Sequence, residues 1–218
     1  MGFKAVIFDL DGTLLNTLDD LAVSANNALE KLGFPTHDIE AYKYFVGSGI
    51  RVLIKRALPQ SVAEDESIVD RCLEEMQGQY NAHWDDKTVP YEGIPELLNA
   101  LSSHGIKMSI LSNKPDNFTQ LTVNKLLSGW KFEVVLGKLE GVPPKPDPSS
   151  ALKISRQLGL SPAEFVFLGD SGIDMRTANA AGMYAVGAAW GFRTVEELKN
   201  SGAKKIIYRP GELLDIVL

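Results

Sequence analysis

The apolar positions of this chain follow two rhythms, and the change between them divides it. Ala5–Phe8 is a short, uninterrupted apolar run that ends at Asp9, the pattern of a buried strand. Asp11-Gly12-Thr13 breaks the run with turn chemistry. From Thr17 the spacing becomes helical: Leu18, Leu21, Ala22, Ala25, Leu29 and Leu32 recur on one face. Thr17 and Asp20 have the form of a capping box at the start of that helix, and Gly33 supplies a stop. Three further helices are predicted near 37–45, 48–58 and 61–83, and no strand-like pattern occurs before Val89.

Beyond that point, strands and helices alternate. Ile106–Leu111 is a β-branched apolar run that stops at Ser112-Asn113-Lys114, and Phe132–Leu136 is a second short strand. Val142–Pro148 holds four of the eleven prolines and must be a loop. Ser149–Leu158 is helical and ends at Gly159. Phe165–Leu168 is a strand running into Gly169-Asp170, and Asp174–Ala181 is a helix closed by Gly182. Tyr184–Ala188 and Lys205–Tyr208 complete the set. Such alternation predicts an α/β fold: a doubly wound, Rossmann-like parallel sheet covered by helices, with ligands outside the carboxyl ends of its strands. The helical stretch interrupts it as an inserted all-α unit. The expected division is a core of residues 1–15 and 87–218 and an insert of residues 16–86.

Charge follows the same division. The chain of 218 residues carries a net charge of -6. Residues 16–86 hold 6 basic and 13 acidic residues, and the remainder 16 basic and 15 acidic. A net acidic chain is a poor polyanion binder, so no nucleic-acid partner is expected. No apolar run approaches the roughly 18 residues of a membrane span, so no membrane partner is expected either. Cys72 has no second cysteine to pair with, and a reducing, cytoplasmic setting fits it. The N-terminal residues lack the serine or threonine of a myristoylation signal and the length of a secretory one.

The predicted strand ends carry the polar residues. Asp9 and Asp11 follow the first strand, Ser112 and Asn113 the second, Lys145 lies in the proline-rich loop, and Asp170 and Asp174 follow the strand at 165–168. In a doubly wound sheet these ends share one edge. Two residues apart in extended chain, Asp9 and Asp11 point to one side, where two carboxylates repel each other unless a cation lies between them. With Asp170 they offer hard oxygen ligands suited to Mg²⁺, which also takes phosphate oxygens.

Here a resemblance enters. Phe8-Asp9-Leu10-Asp11-Gly12-Thr13-Leu14 resembles the first motif of the haloacid dehalogenase superfamily. Leu111-Ser112-Asn113 is similar to its second motif, Lys145-Pro146 to its third and Gly169-Asp170-Ser171-Gly172-Ile173-Asp174 to its fourth, all in the family's order. The resemblance implies a Mg²⁺-dependent phosphatase of small phosphorylated metabolites, acting as monomer or homodimer. Asp9 would be the nucleophile that forms an aspartyl phosphate, and Asp11 the general acid and base. Ser112 and the amide of Asn113 would hold phosphoryl oxygens, and Lys145 would neutralise charge. Asp9, Asp11 (through its carbonyl) and Asp170 would serve the metal, with Asp174 ligating it or orienting Lys145. Members that attack carbon lack the second aspartate, so Asp11 argues for phosphate chemistry. Lys114 is left open between a site group and a first-turn surface residue.

In the same family the helical insert is a cap that closes over the site and reads the leaving group. Val46-Gly47-Ser48-Gly49-Ile50-Arg51 resembles the cap segment of phosphoglycolate phosphatases. Gly47 and Gly49 would let backbone approach the substrate, and Arg51 would pair with a carboxylate. The alternative is an ordinary loop before an amphipathic helix, with Arg51 as a surface charge. Trp190-Gly191-Phe192-Arg193 also resembles those members, against plain aromatic packing. Phosphoglycolate is the leading substrate. The other readings are a sugar phosphomutase of the β-phosphoglucomutase kind, a pyrophosphatase or nucleotidase, and a non-catalytic regulatory protein that only binds phosphate.

Overall fold

The computed structural model describes residues 2–218; Met1, the first residue of the expected core, lies outside them. In chain order the strands are β1 (Ala5–Phe8), β2 (Leu15–Asn16), β3 (Val89–Pro90), β4 (Lys107–Pro115), β5 (Val134–Lys138), β6 (Phe165–Gly169), β7 (Tyr184–Ala188) and β8 (Lys205–Ile207). The helices are α1 (Leu18–Lys31), α2 (Ile39–Phe45), α3 (Ile50–Ala57), α4 (Glu66–His83), α5 (Ile94–Ser103), α6 (Asp116–Leu126), α7 (Ser149–Leu158), α8 (Gly172–Ala181), α9 (Val195–Asn200) and α10 (Leu214–Val217). Two compact units result: residues up to Leu15 together with Pro90–Leu218, and Asn16–Val89.

The first unit is built on a six-stranded sheet of order β5-β4-β1-β6-β7-β8, and every paired strand is parallel. The two-residue strands β2 and β3 form a separate pair. The six-stranded order is the doubly wound one, with the direction of winding reversing between β1 and β6. Side chains alternate across the sheet. Val6, Phe8, Met108, Ile110, Val166 and Leu168 pack on one face with Ile94, Leu97, Leu98 and Leu101 of α5. Ala5, Ile7, Phe165 and Phe167 pack on the other with Ala151 and Ile154 of α7 and Met175 and Ala178 of α8. Each fully buried aliphatic or phenyl side chain contributes roughly 1.5–3 kcal/mol, so the central strands hold their register firmly. That register places Asp9 next to β6: its N–H donates to the Leu168 carbonyl at 2.9 Å.

In the second unit α1 packs along α4, and α2 lies against α1 and α3. The Tyr42 hydroxyl donates to Asn26 Oδ1 at 2.7 Å, and Asn26 Nδ2 donates to the His37 carbonyl at 2.8 Å, which pins the loop between α1 and α2. Cys72 is buried and free.

Several boundaries differ from the sequence expectation, each for a local reason. Thr17 and Asp20 form no capping box: Thr17 makes no side-chain cap bond. The Asp20 carboxylate instead accepts from the N–H of Lys87 (3.1 Å), the N–H of Thr88 (2.8 Å) and the Thr88 hydroxyl (2.7 Å). Helix α3 starts at Ile50 because Gly47 and Gly49 hold φ of 106° and 95°, outside the helical region. Helix α4 starts at Glu66, where Asp65 caps the N–H groups of Ser67 and Ile68. Strand β4 does not stop at Leu111. It runs through Ser112-Asn113-Lys114 to Pro115, with a register shift against β5, so polarity there marks a buried site and not a turn. Phe132 packs on the core just before β5, whose pairing begins at Val134.

Candidate active site

The carboxyl edge of the sheet gathers the predicted residues of the first unit. Asp9 follows β1 directly, and Asp170 follows β6, the neighbouring strand at the switch point. Asp174 lies in the first turn of α8, where Ser171 caps the helix. Its Oδ2 accepts from the Ser171 N–H at 3.1 Å and hydroxyl at 2.5 Å. Lys145 reaches in from the proline-rich loop, and its ammonium donates to Asp9 Oδ1 at 2.7 Å and to Asp174 Oδ1 at 2.6 Å. One carboxylate oxygen from each of Asp9, Asp170 and Asp174 lies within 4.8 Å of the other two.

All four groups are buried, so their charges act at short range in a poorly screened setting. Burial raises the Asp9 carboxyl well above its ordinary value, Lys145 opposes that rise, and Asp174 and Asp170 reinforce it. Asp170 is pushed up to about 7, first by burial and then by Asp174. Burial works against the charge of Lys145, but Asp174 and Asp9 outweigh it and hold the ammonium protonated. Three carboxylates thus share one lysine, an excess of buried negative charge that a divalent cation would offset.

The surrounding turns fix these groups. Asp170 accepts from the Thr13 hydroxyl at Oδ1 (3.2 Å) and from the Phe192 N–H at Oδ2 (2.7 Å). The Trp190 indole N–H donates to the Thr13 carbonyl at 3.0 Å, tying the turn after β7 to the turn after β1. Glycine is required at both turns. Gly12 has φ of 88°, and a Cβ there would lie 2.5 Å from Asp170 Oδ2. A Cβ at Gly191 would lie 2.2 Å from the Asp170 Cβ and 2.4 Å from the Gly12 carbonyl oxygen. Asn113 holds the lysine loop: its Nδ2 donates to the Lys145 carbonyl at 3.0 Å, and its Oδ1 accepts from the Lys145 N–H at 2.9 Å.

Ser112 is buried beside these residues, and its Oγ accepts from the Lys114 N–H at 3.2 Å. Asp11 does not join the carboxylate cluster. Its side chain pairs with Lys114, whose ammonium donates to Oδ1 at 3.0 Å and Oδ2 at 3.4 Å. Lys114 is therefore no surface residue; its side chain is 4% exposed. Thr13, the Asn113 side chain and the Trp190–Phe192 turn were not assigned these roles from sequence. The one available signal was the Trp190-Gly191-Phe192-Arg193 segment after β7, which the resemblance had singled out.

Gly47, Gly49 and Arg51 belong to the second unit. The two glycines hold positive φ, as a close backbone approach would need. Arg51 carries two ion pairs within that unit. Its guanidinium donates to Glu66 at 2.6 Å and to Asp70 of α4, so two carboxylates of its own unit claim its charge. Arg193 lies 3.7 Å from Glu197, one turn along the chain.

A doubly wound parallel sheet with clustered aspartates and a lysine at its switch point defines a class of α/β proteins suited to holding a cation. The family model for haloacid dehalogenase-like hydrolases matches residues 6–188, and the chain belongs to that family. Phosphoglycolate phosphatase of Pseudomonas putida strain KT2440 is 33% identical over 192 residues, 87% of this chain and 70% of that protein. Phosphoglycolate phosphatase 1 of Pseudomonas aeruginosa PAO1 is 31% identical over 214 residues, 97% of this chain and 78% of that one. A crystal structure from Lactobacillus delbrueckii subsp. bulgaricus superposes with a TM-score of 0.92 at 33% identity, covering 100% of this chain and 99% of that one.

Proposed function

We propose that the chain is a Mg²⁺-dependent phosphatase of small phosphate esters, with phosphoglycolate its principal substrate. The observation that carries this reading is the Asp9–Lys145–Asp174 chain of buried ion pairs clustered with Asp170, with Asp11 two residues along the chain from Asp9. It offers a nucleophile, charge neutralisation and a proton carrier at the edge where four family motifs converge. The names of the curated relatives support the choice of substrate.

In this reading Asp9 attacks phosphorus, the bond to the alcohol oxygen breaks, and Asp11 gives that oxygen a proton. Water then attacks the phosphorus of the aspartyl phosphate and passes a proton to Asp11, which frees Asp9 and inorganic phosphate. Ser112 and the Asn113 backbone amide hold phosphoryl oxygens. Asp9, Asp170 and the Asp11 carbonyl would hold Mg²⁺, and the buried excess of carboxylate oxygens fits such a hard cation. When bound, the ion supplies charge neutralisation for the phosphoryl group. Asp174 spends one oxygen on Lys145 and the other on Ser171, which favours an orienting role for it. Residues 16–86 serve as the cap that reads the alcohol.

The cation has a consequence for stability. Asp170 titrates near 7 when folded but near 3.8 ordinarily, so its cost to folding is absent at low pH. The cost sets in as pH rises and is complete above about 7. A cation that relieves this repulsion stabilises most where the group is ionised. Thermal melts with and without Mg²⁺ should therefore differ more at pH 8 than at pH 5.5, and equal shifts would speak against a buried carboxylate site.

The function is tested by incubating the purified chain, with Mg²⁺ or with chelator, against a panel of phosphate esters. Metal-dependent phosphate release led by phosphoglycolate is expected. Interconversion of sugar phosphates without net phosphate release would indicate a mutase, preferred pyrophosphate or nucleotide hydrolysis the corresponding enzyme, and phosphate binding without turnover a regulatory protein.

A further inference from the structure

Lys114 is a buried ammonium to which the proposed chemistry gives no task. Its position is fixed from three sides. Its N–H donates to Ser112 Oγ at 3.2 Å, its carbonyl accepts from the Thr119 hydroxyl at 3.2 Å, and its ammonium bonds both oxygens of Asp11. A lysine normally keeps its head in water, and a buried one needs an anionic partner. Here that partner is the carboxylate that serves the leaving-group oxygen, so the ammonium lies on the side of the site where the alcohol departs.

We infer that Lys114 is a specificity-determining residue that selects phosphate esters whose alcohol carries a carboxylate on the carbon next to the ester oxygen. The inference rests on the proposed phosphatase reading, with Asp11 at the leaving group. Its first support is distance. A carboxylate on that carbon lies roughly 3 Å beyond the ester oxygen, given ordinary bond lengths. Nζ lies 3.0 Å from Asp11 Oδ1, so an ester oxygen in hydrogen-bond contact with Asp11 brings the carboxylate within reach of the ammonium. Its second support is charge. An ester with a second anionic group enters a site lined by Asp9, Asp11, Asp170 and Asp174, and needs a cation on the alcohol side. Lys145 is bonded to Asp9 and Asp174, on the phosphoryl side. Lys114 is the cation held at the leaving-group carboxylate itself.

The test compares phosphoglycolate with 2-hydroxyethyl phosphate, which has the same chain length and a neutral hydroxymethyl group in place of the carboxylate. Wild-type kcat/KM should favour phosphoglycolate by on the order of 100-fold, the size expected when a desolvated charge loses its partner. Lys114→Met should collapse that ratio to within a few-fold of one, with the loss on phosphoglycolate at least tenfold greater than on the neutral ester. Lys114→Arg should retain a clear preference. Equal losses on both esters in Lys114→Met would overturn the inference and leave Lys114 acting only through Asp11. Equal wild-type rates on the two esters would overturn it without any variant, so a failure of the methionine variant to fold does not protect it. A wild-type protein that hydrolyses no phosphate ester, p-nitrophenyl phosphate included, would sink the phosphatase reading itself.

Discussion

Asp9→Asn should abolish phosphate release, lowering kcat by roughly ten-thousand-fold or more, the scale seen when a covalent nucleophile is removed. The amide keeps the shape of the carboxylate but lacks its charge and its nucleophilic oxygen. Stability should move the other way. Asp9 is buried, raised by burial, and crowded by Asp174 and Asp170. Replacing it with a neutral group relieves that repulsion, while Lys145 keeps its 2.6 Å bond to Asp174. The melting temperature of the metal-free variant at pH 8 should therefore equal or exceed that of wild type. Loss of activity accompanied by a large loss of stability would contradict this account, because it would make Asp9 a structural residue.

Lys145→Met should be inactive too, but with the opposite effect on stability. The lysine is bonded to both Asp9 and Asp174, and all three groups are buried. Removing one partner of a buried pair strands the other, at a cost of roughly 3–5 kcal/mol. The metal-free variant should unfold at a markedly lower denaturant concentration than wild type. Adding Asp9→Asn to it should recover part of the loss, since one stranded carboxylate disappears. Additive losses in the double variant would show that the two residues do not share charge as the 2.7 Å contact implies.

How much of this was legible in the sequence depends on the distance over which each contact reaches. The strands of the six-stranded sheet follow from local apolar runs such as Ala5–Phe8 and Phe165–Leu168, and the doubly wound order from their alternation with helices. Asp9, Asp11, Ser112 and Asp170 could be placed at strand ends because each closes or follows such a run, and Lys145 could be placed in the proline-rich loop. The contacts that aim these groups were not legible. Thr13 and Asp170 meet across 157 residues, and Trp190 and Thr13 across 177. Those meetings depend on the turns that follow neighbouring strands, which no local pattern encodes. Asn113 was expected to act through its backbone amide, and its side chain also holds the Lys145 loop. Lys114 was undecidable from sequence because a first-turn lysine and a buried one look alike until Asp11 is seen beside it. Thr17 and Asp20 had the spacing of a cap, yet Asp20 accepts from Lys87 and Thr88 instead. The overall charge of -6 also changes meaning. It resides in the helical insert, while the nearly neutral core concentrates its aspartates where a cation and two lysines can answer them.

The central claim is that the phosphoryl group passes through Asp9 before it reaches water. The stereochemical course at phosphorus tests this most directly, using phosphoglycolate made chiral with oxygen isotopes and a thio-substituted phosphoryl group. Each in-line displacement inverts phosphorus, so attack by Asp9 followed by attack by water predicts net retention. Net inversion would mean a single direct attack by water and would contradict the account.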